Sequence, residues 1–170
     1  MTNAFKLAAC ALFLPSCATM APDGPSAVAV IRPASGSQAN GTVKFTQVGS
    51  RVRVDADIAG LTPGSHGIHV HEKGDCTAPD ATSAGPHFNP ATKKHGAPEG
   101  SERHAGDLGN LKANESGKTV LTLMVDGISV DKGANGVVGR GVIVHADPDD
   151  LKTDPSGNSG SRIGCGVIGS

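Results

Sequence analysis

Histidines are the residues in this sequence whose number and spacing could do chemistry. Among seven histidines in 170 residues, His69 and His71 are separated by a single residue. Alternate residues of a β-strand project from the same face, so these two imidazoles could bind one metal ion side by side. His66 instead shares its face with Ile68 and Val70, and we interpret it as a hydrogen-bonded structural histidine.

A second group of possible ligands follows in a stretch rich in Gly and Pro. The group consists of His87, His95, His104 and Asp107. Three imidazoles and one carboxylate are a plausible tetrahedral set for zinc. Any one of them alone would more simply be a solvated loop residue, but that interpretation is much weaker for the whole set. His145 then follows an apolar segment, where a strand would reach the rim of a barrel.

Short apolar stretches separated by turn residues are the elements that must position these side chains. Eight of them have strand patterns: residues 27–32, 42–48, 51–58, 65–72, 108–113, 119–125, 137–144 and 163–168. No segment has a convincing helical period. Two long polar segments, 73–103 and 147–160, have the length of functional or disordered loops. The sequence therefore predicts an all-β, eight-stranded barrel or sandwich with two long functional loops.

The first residues have the features of a signal peptide. Lys6 precedes an apolar run over residues 7–14, and small residues follow. The run is too short to cross a bilayer as a helix. We therefore divide the chain into a signal peptide over 1–17, a flexible tether over 18–26 and the functional domain over 27–170.

Leu14-Pro15-Ser16-Cys17 also resembles a bacterial lipobox. In that case Cys17 would be lipidated and would become the mature N-terminus. Ordinary cleavage nearby is the alternative, and the sequence leaves both open. Either way we expect export, to the periplasm or to a membrane with a lipid anchor facing the periplasm.

The four cysteines divide between the leader and the domain. Cys10 and Cys17 belong to the leader, whereas Cys76 and Cys165 remain in a compartment that permits disulfides. The second pair is most simply bonded to each other. Such a bond would close a loop of roughly 90 residues and contribute roughly 4–5 kcal/mol in the chain-entropy model.

Composition excludes some classes of partner. The formal net charge is -1, which does not favour nucleic acid binding. Trp and Tyr are absent, which disfavours stacking platforms for bases or sugars. The membrane would be a partner only through the N-terminal lipid anchor.

Four separated motifs resemble signatures of copper/zinc superoxide dismutases, specifically an exported bacterial member with eukaryotic-like motifs. The motifs are GIHVHE at 67–72, GPHFNP at 85–90, GDLGN at 106–110 and GNSGSR at 157–162. They follow that family's order and cover nearly the whole chain after the leader. The resemblance implies a Greek-key β-barrel that converts superoxide to dioxygen and hydrogen peroxide by copper redox cycling, with zinc in a structural role.

The resemblance also implies a role for each residue at the site. The copper ligands would be His69, His71, His87 and His145, and the zinc ligands would be His87, His95, His104 and Asp107. His87 would bridge the two metals as an imidazolate and, with Arg162, act in catalysis. Asp149 would link histidines of the two metal sites, and Cys76 and Cys165 would form the family disulfide.

Two other functions and one mode of assembly are compatible with the motifs. A non-catalytic copper/zinc-binding protein or copper carrier of the same fold is the main alternative, but such domains usually lose copper ligands or the arginine. A zinc hydrolase needs an open zinc position, which the four zinc ligands would close. Gly139-Arg140-Gly141 and the C-terminal Gly-Val-Ile-Gly resemble segments used in eukaryotic-like dimers, so we expect a homodimer.

The segment between His145 and Arg162 departs from the family pattern. It is short, and Pro155 stands where a lysine that guides superoxide is usual. Its four aspartates are Asp147, Asp149, Asp150 and Asp154. These carboxylates would repel an anion unless Asp149 is buried, so we expect steering by Arg162 together with one or more of Lys73, Lys93 and Lys94.

Overall fold

The structure, a computed structural model, describes residues 22–169. It has eight β-strands and one 3-10 turn at Thr82–Ala84. The strands are β1 Asp23–Pro33, β2 Asn40–Val48, β3 Arg51–Ala59, β4 Gly64–His71, β5 Asp107–Ala113, β6 Thr119–Val125, β7 Gly141–His145 and β8 Arg162–Gly169. The prediction of an eight-stranded all-β fold is confirmed. The predicted leader, with Cys17, lies outside the described residues.

The strands form one antiparallel sheet that curls into a nearly closed barrel. Their order is β5-β4-β7-β8-β1-β2-β3-β6, so neighbours are often distant in sequence, as in a Greek key. A short turn joins the two edge strands β5 and β6, and in it the Asn114 amide donates to the Lys118 carbonyl. Alternating apolar side chains fill the interior, among them Phe45, Ile58 and Leu111, which are fully buried.

Two strands, β1 and β7, begin four residues away from their predicted starts, and the other six begin within two residues of theirs. β1 starts at Asp23 instead of residue 27, inside the range predicted as a tether, because Asp23 pairs with Val48 and forms an ion pair with Arg53. β7 starts at Gly141 instead of residue 137. The preceding residues turn at Gly139, where φ is 89°, and this breaks the ladder.

Two long loops lie over the outer side of β4 and β7. Loop A comprises residues 72–106, and loop B comprises residues 146–161. The backbone of β4 contacts both loops, because the Val70 amide donates to the Gly106 carbonyl and the Gly67 amide donates to the Asp147 carbonyl. Outward-facing side chains of these strands therefore meet loop residues and not solvent.

Within residues 22–169, no helix has the length and apolarity needed to cross a membrane.

Candidate metal centre

β4 and β7 present three histidines to the two loops. Ile68 and Val70 point into the barrel core, so His69 and His71, which alternate with them, face outward and are covered by the loops. His145 ends β7 on the same side. Loop A adds His87, which forms an isolated bridge with His71. The possible ligand atoms of these four buried histidines lie within 4.8 Å of one another.

A second cluster lies beside the first and consists of His87, His95, His104 and Asp107, which are all buried. Its possible ligand atoms also lie within 4.8 Å of one another. Asp107, the first residue of β5, anchors the cluster. One of its carboxylate oxygens is 2.9 Å from His87 Nδ1, and the other accepts hydrogen bonds from the backbone amides of His104 and Gly96.

His87 belongs to both clusters through its two ring nitrogens. Nδ1 lies 2.9 Å from Asp107 and 3.3 Å from His104 Nδ1, on the side of the second cluster. Nε2 has no hydrogen-bond partner among the described residues and is the nitrogen available to the first cluster. This one imidazole can therefore bind a cation on each side.

Asp149 joins the two clusters through its carboxylate. Its two oxygens accept hydrogen bonds of 2.8 Å each from His69 Nε2 and His95 Nε2. These bonds fix the tautomers, so that Nδ1 of each ring is left for a metal ion. Gly157 makes the arrangement possible, because an ideal Cβ on it would lie 1.9 Å from Asp149 Oδ1 and 2.7 Å from His95 Nε2.

Asn110 has a role that its place in the sequence did not indicate, although the residue belongs to the quoted GDLGN motif. Its side-chain amide donates to the Asp149 carbonyl at 2.9 Å and accepts from the Asp149 amide at 2.8 Å. β5 therefore holds loop B at the residue that joins the clusters. Asn is a common residue for local turns, so the type alone gave no signal for a pairing across 39 positions.

The remaining ring nitrogens of the histidines indicate which atoms a metal would use. His71 Nδ1 donates to the Gly85 carbonyl, and His145 Nδ1 donates to the Gly160 carbonyl. Within residues 22–169, five buried imidazole nitrogens have no hydrogen-bond partner: His69 Nδ1, His71 Nε2, His87 Nε2, His145 Nε2 and His95 Nδ1, the last of which lies 3.1 Å from Asp107 Oδ1. Each unpaired buried polar atom costs about 1–3 kcal/mol. Metal ions are the partners that would satisfy these atoms.

The pKa values of the four histidines in the first cluster suit cation binding. Burial lowers the pKa of His87 to about 4 and that of His145 to about 3, and it also lowers the pKa of His69 and of His71. All four imidazoles are therefore neutral at pH 7 and keep a lone pair for a metal ion. Burial disfavours the charged form of His95, but the carboxylates of Asp107 and Asp149 raise its pKa to about 10.

His66 is a structural histidine, as its position among apolar residues predicted. The ring is buried. Its Nδ1 is 2.9 Å from the His145 carbonyl, and its Nε2 is 2.9 Å from the Thr62 carbonyl. It therefore connects the end of β7 to the turn before β4 from within the barrel.

A cavity of about 380 Å³ opens onto the first cluster. It is lined by His71, Pro86, His87, His145, Pro155, Ser156, Gly160 and Arg162. The Arg162 guanidinium donates to the carbonyls of Ala81 and Gly85, at 2.8 Å each. The disulfide between Cys76 and Cys165 is present, with a Cα–Cα distance of 5.8 Å, and it holds this part of loop A against β8.

The charges around the cavity are not distributed as the sequence alone indicates. Asp149 is buried, at 4% exposure, and is paired with histidines. Asp154 accepts a hydrogen bond from the His95 amide. Lys93 donates to the Ser101 carbonyl and lines a different cavity. The Lys73 side chain packs beside Gly85, the residue before Pro86 in the lining of the cavity over the first cluster.

Both clusters fit the metals that the motifs implied. The first offers only imidazole nitrogens, which suit copper, and the second offers three imidazoles and a carboxylate in a closed set of four, which is typical of structural zinc. A comparison with protein-family models matches the copper/zinc superoxide dismutase model over residues 39–168, more than half of the chain. The chain therefore belongs to the copper/zinc superoxide dismutase family.

Proposed function

We propose that the protein catalyses superoxide dismutation, in which two superoxide ions and two protons give dioxygen and hydrogen peroxide. The observation that carries the proposal is a complete pair of clusters sharing His87, beside a cavity lined by Arg162. When bound, copper supplies a one-electron redox couple and zinc holds the loop residues in place.

The residues of the chain would divide the remaining work. Arg162 binds and orients the anion, because its guanidinium keeps its charge. Its two hydrogen bonds to loop A carbonyls fix its position relative to His87. His87 Nε2 faces the first cluster and has no hydrogen-bond partner in the part of the chain that the structure describes, so it can hold a proton there and donate it to the forming peroxide.

The alternative is a copper carrier that binds both metals without turnover. A carrier does not need an arginine at the mouth of the cavity, and a closed set of outer hydrogen bonds would oppose metal release. Both features favour the enzyme.

Stopped-flow measurement of superoxide decay by the copper- and zinc-loaded protein tests this proposal. We expect rapid second-order decay, and we expect Arg162→Met to lower the rate at least about 10-fold while metal content is unchanged. Arg53→Met is the matched control, because Arg53 pairs with Asp23 and Asp55 on the barrel surface. A fully loaded protein that consumes no superoxide would favour the carrier.

We also propose a homodimer that uses the outer face of β1 and β8. Val28, Val30 and Val167 are 38%, 54% and 43% exposed on these paired strands. The turn at Gly139 joins this face, since its amide donates to the Ile168 carbonyl. Sedimentation should give a dimer that Val30→Glu dissociates. Val120→Glu is the control, because Val120 is 79% exposed on β6, and a wild-type monomer at all concentrations would exclude the dimer.

Export and lipid attachment at Cys17 are further proposals that rest on the sequence of the leader. The alternative is cleavage nearby without a lipid. Mass spectrometry of the protein extracted from membranes should find a diacylglyceryl group on an N-terminal Cys17. An unmodified N-terminus beyond residue 17 would exclude the anchor and leave a free periplasmic protein.

A further inference from the structure

A carboxylate shares a surface depression with Arg162. The depression has a volume of about 260 Å³ and is lined by Ser35, Asp80, Thr82, Gly160, Ser161 and Arg162. Gly160 and Arg162 also line the cavity over the first cluster. An anion that approaches Arg162 from this side therefore passes Asp80, the one acidic residue of the described chain in this lining.

Local hydrogen bonds hold Asp80 in place and keep it charged. Its Oδ1 accepts from the Thr82 amide at 3.1 Å and from the Thr82 hydroxyl at 2.7 Å. These bonds lower the pKa of the exposed carboxyl. The next residue, Ala81, accepts a hydrogen bond from Arg162 through its carbonyl. Asp80 is thus an ionised group on the same backbone segment that fixes the guanidinium.

The guanidinium has no direct acidic partner within residues 22–169, since its hydrogen bonds go to the carbonyls of Ala81 and Gly85. Its charge is therefore free to attract an anion, and Asp80 reduces that attraction through space. Repulsion by a fixed charge is proportional to the charge of the approaching ion. A divalent anion is consequently repelled twice as strongly, in free energy, as a monovalent one.

We propose that Asp80 is a specificity-determining residue of the cavity, which weakens the binding of multivalent anions beside Arg162 more than the binding of monovalent anions such as superoxide. The inference deepens the proposed dismutase function and rests on it for the identity of the substrate. Sulfate and phosphate, which a guanidinium binds well, would be the competitors kept out at a smaller loss for superoxide.

The test compares two anions on the copper- and zinc-loaded protein. Azide is the monovalent probe, titrated through the Cu(II) absorption spectrum, and sulfate is the divalent probe, measured as a competitor of azide. Asp80→Asn keeps the side-chain oxygen that Thr82 requires and removes the charge. Across a solvated separation of several ångströms, one unit charge changes the affinity for a monovalent anion about 2-fold. We therefore expect azide to bind about 2-fold more tightly and sulfate about 4-fold more tightly, both at low salt.

Asp75 provides a matched control on the same loop. Its Oδ1 accepts from the Thr77 amide and hydroxyl at 2.9 and 2.7 Å, which is the same turn as that of Asp80 and Thr82. Asp75 does not line the depression with Arg162. Asp75→Asn should therefore leave both affinities unchanged, although it changes net charge by the same amount.

Three results would overturn the inference: no change in Asp80→Asn, an equal gain for both anions, or the same gains in Asp75→Asn. If Asp80→Asn shows the expected gains for azide and sulfate but the loaded protein consumes no superoxide, the proposed function is refuted and the role of Asp80 in anion binding stands. The two failures are therefore distinguishable.

Discussion

Asp149→Ala should weaken both metal sites, and zinc more than copper. The carboxylate accepts one hydrogen bond of 2.8 Å from a histidine of each cluster, His69 and His95. Removing such an outer partner of a metal-binding histidine typically lowers metal affinity about 10–100-fold. The substitution removes two partners at once, so neither site should keep its full affinity.

The surroundings of the two histidines decide which site loses more. His69 lies within β4, which pairs with β5 and β7 on its two sides, so its ring keeps its place without Asp149. His95 lies in loop A and depends on side-chain contacts, of which Asp149 supplies the one to its Nε2. We therefore expect zinc affinity to fall about 100-fold and copper affinity about 10-fold, or about 2.7 and 1.4 kcal/mol.

Competition of each metal with a chromophoric chelator measures these losses separately. Asp150→Asn is the control, because the Asp150 carboxylate accepts hydrogen bonds from Thr153 and Asn158 and from no histidine of the described chain. Asn110→Ala should shift both affinities in the same direction by less, since it frees only the backbone of Asp149. Unchanged affinities, or a larger loss for copper, would refute the reasoning.

Four further changes test other parts of the centre. His145→Ala should abolish copper binding and retain zinc in metal analysis, because His145 belongs to the first cluster alone; full copper content would remove it from the site. Asp107→Ala should lose zinc and speed hydrogen exchange in loop A, since the carboxylate also holds two loop amides, and unchanged exchange would contradict this. Cys165→Ser should lower the free energy of unfolding by about 4–5 kcal/mol, because the disulfide spans 89 positions; a loss below about 1 kcal/mol in denaturant titration would disagree. Neutralising Lys93 and Lys94 together should have a small effect on how the superoxide rate falls with salt, because Lys93 donates to the Ser101 carbonyl. A much flatter fall would show that these lysines steer the anion.

Periodicity predicted the strands well wherever alternate residues face different surroundings. β4 is the clearest case, because Ile68 and Val70 face the barrel core whereas His69 and His71 face the loops. Strand ends were less predictable. Val137 looks like strand from its sequence, yet it accepts a turn hydrogen bond from the Arg140 amide. The start of β1 depends instead on contacts of Asp23 with Val48 and Arg53, which lie far along the chain, and a local pattern does not contain such contacts.

The ligands could be identified from their motifs, but not all of their supporting partners could. Asp149 was recognised through family resemblance, whereas Asn110, Asp80 and the glycine at 157 gained their roles only from three-dimensional contacts. Lys93 shows why sequence proximity alone does not place a lysine at the cavity, because it is near the ligands in sequence but its ammonium group donates to the Ser101 carbonyl. Its part in steering stays a prediction.

The two long loops and the metal centre depend on each other for stability. Loop A supplies His87, His95 and His104, and its covering position buries imidazole nitrogens that have no hydrogen-bond partner within residues 22–169. In the absence of metal, each such nitrogen opposes loop closure by about 1–3 kcal/mol. Metal binding removes that penalty, so part of the binding free energy becomes folding free energy of the loops. The disulfide and the Asn110–Asp149 pairing act in the same direction without a metal, because each ties a loop to a strand of the barrel. The barrel therefore holds the loops close to their final positions, and the metals complete an arrangement that the chain has largely prepared.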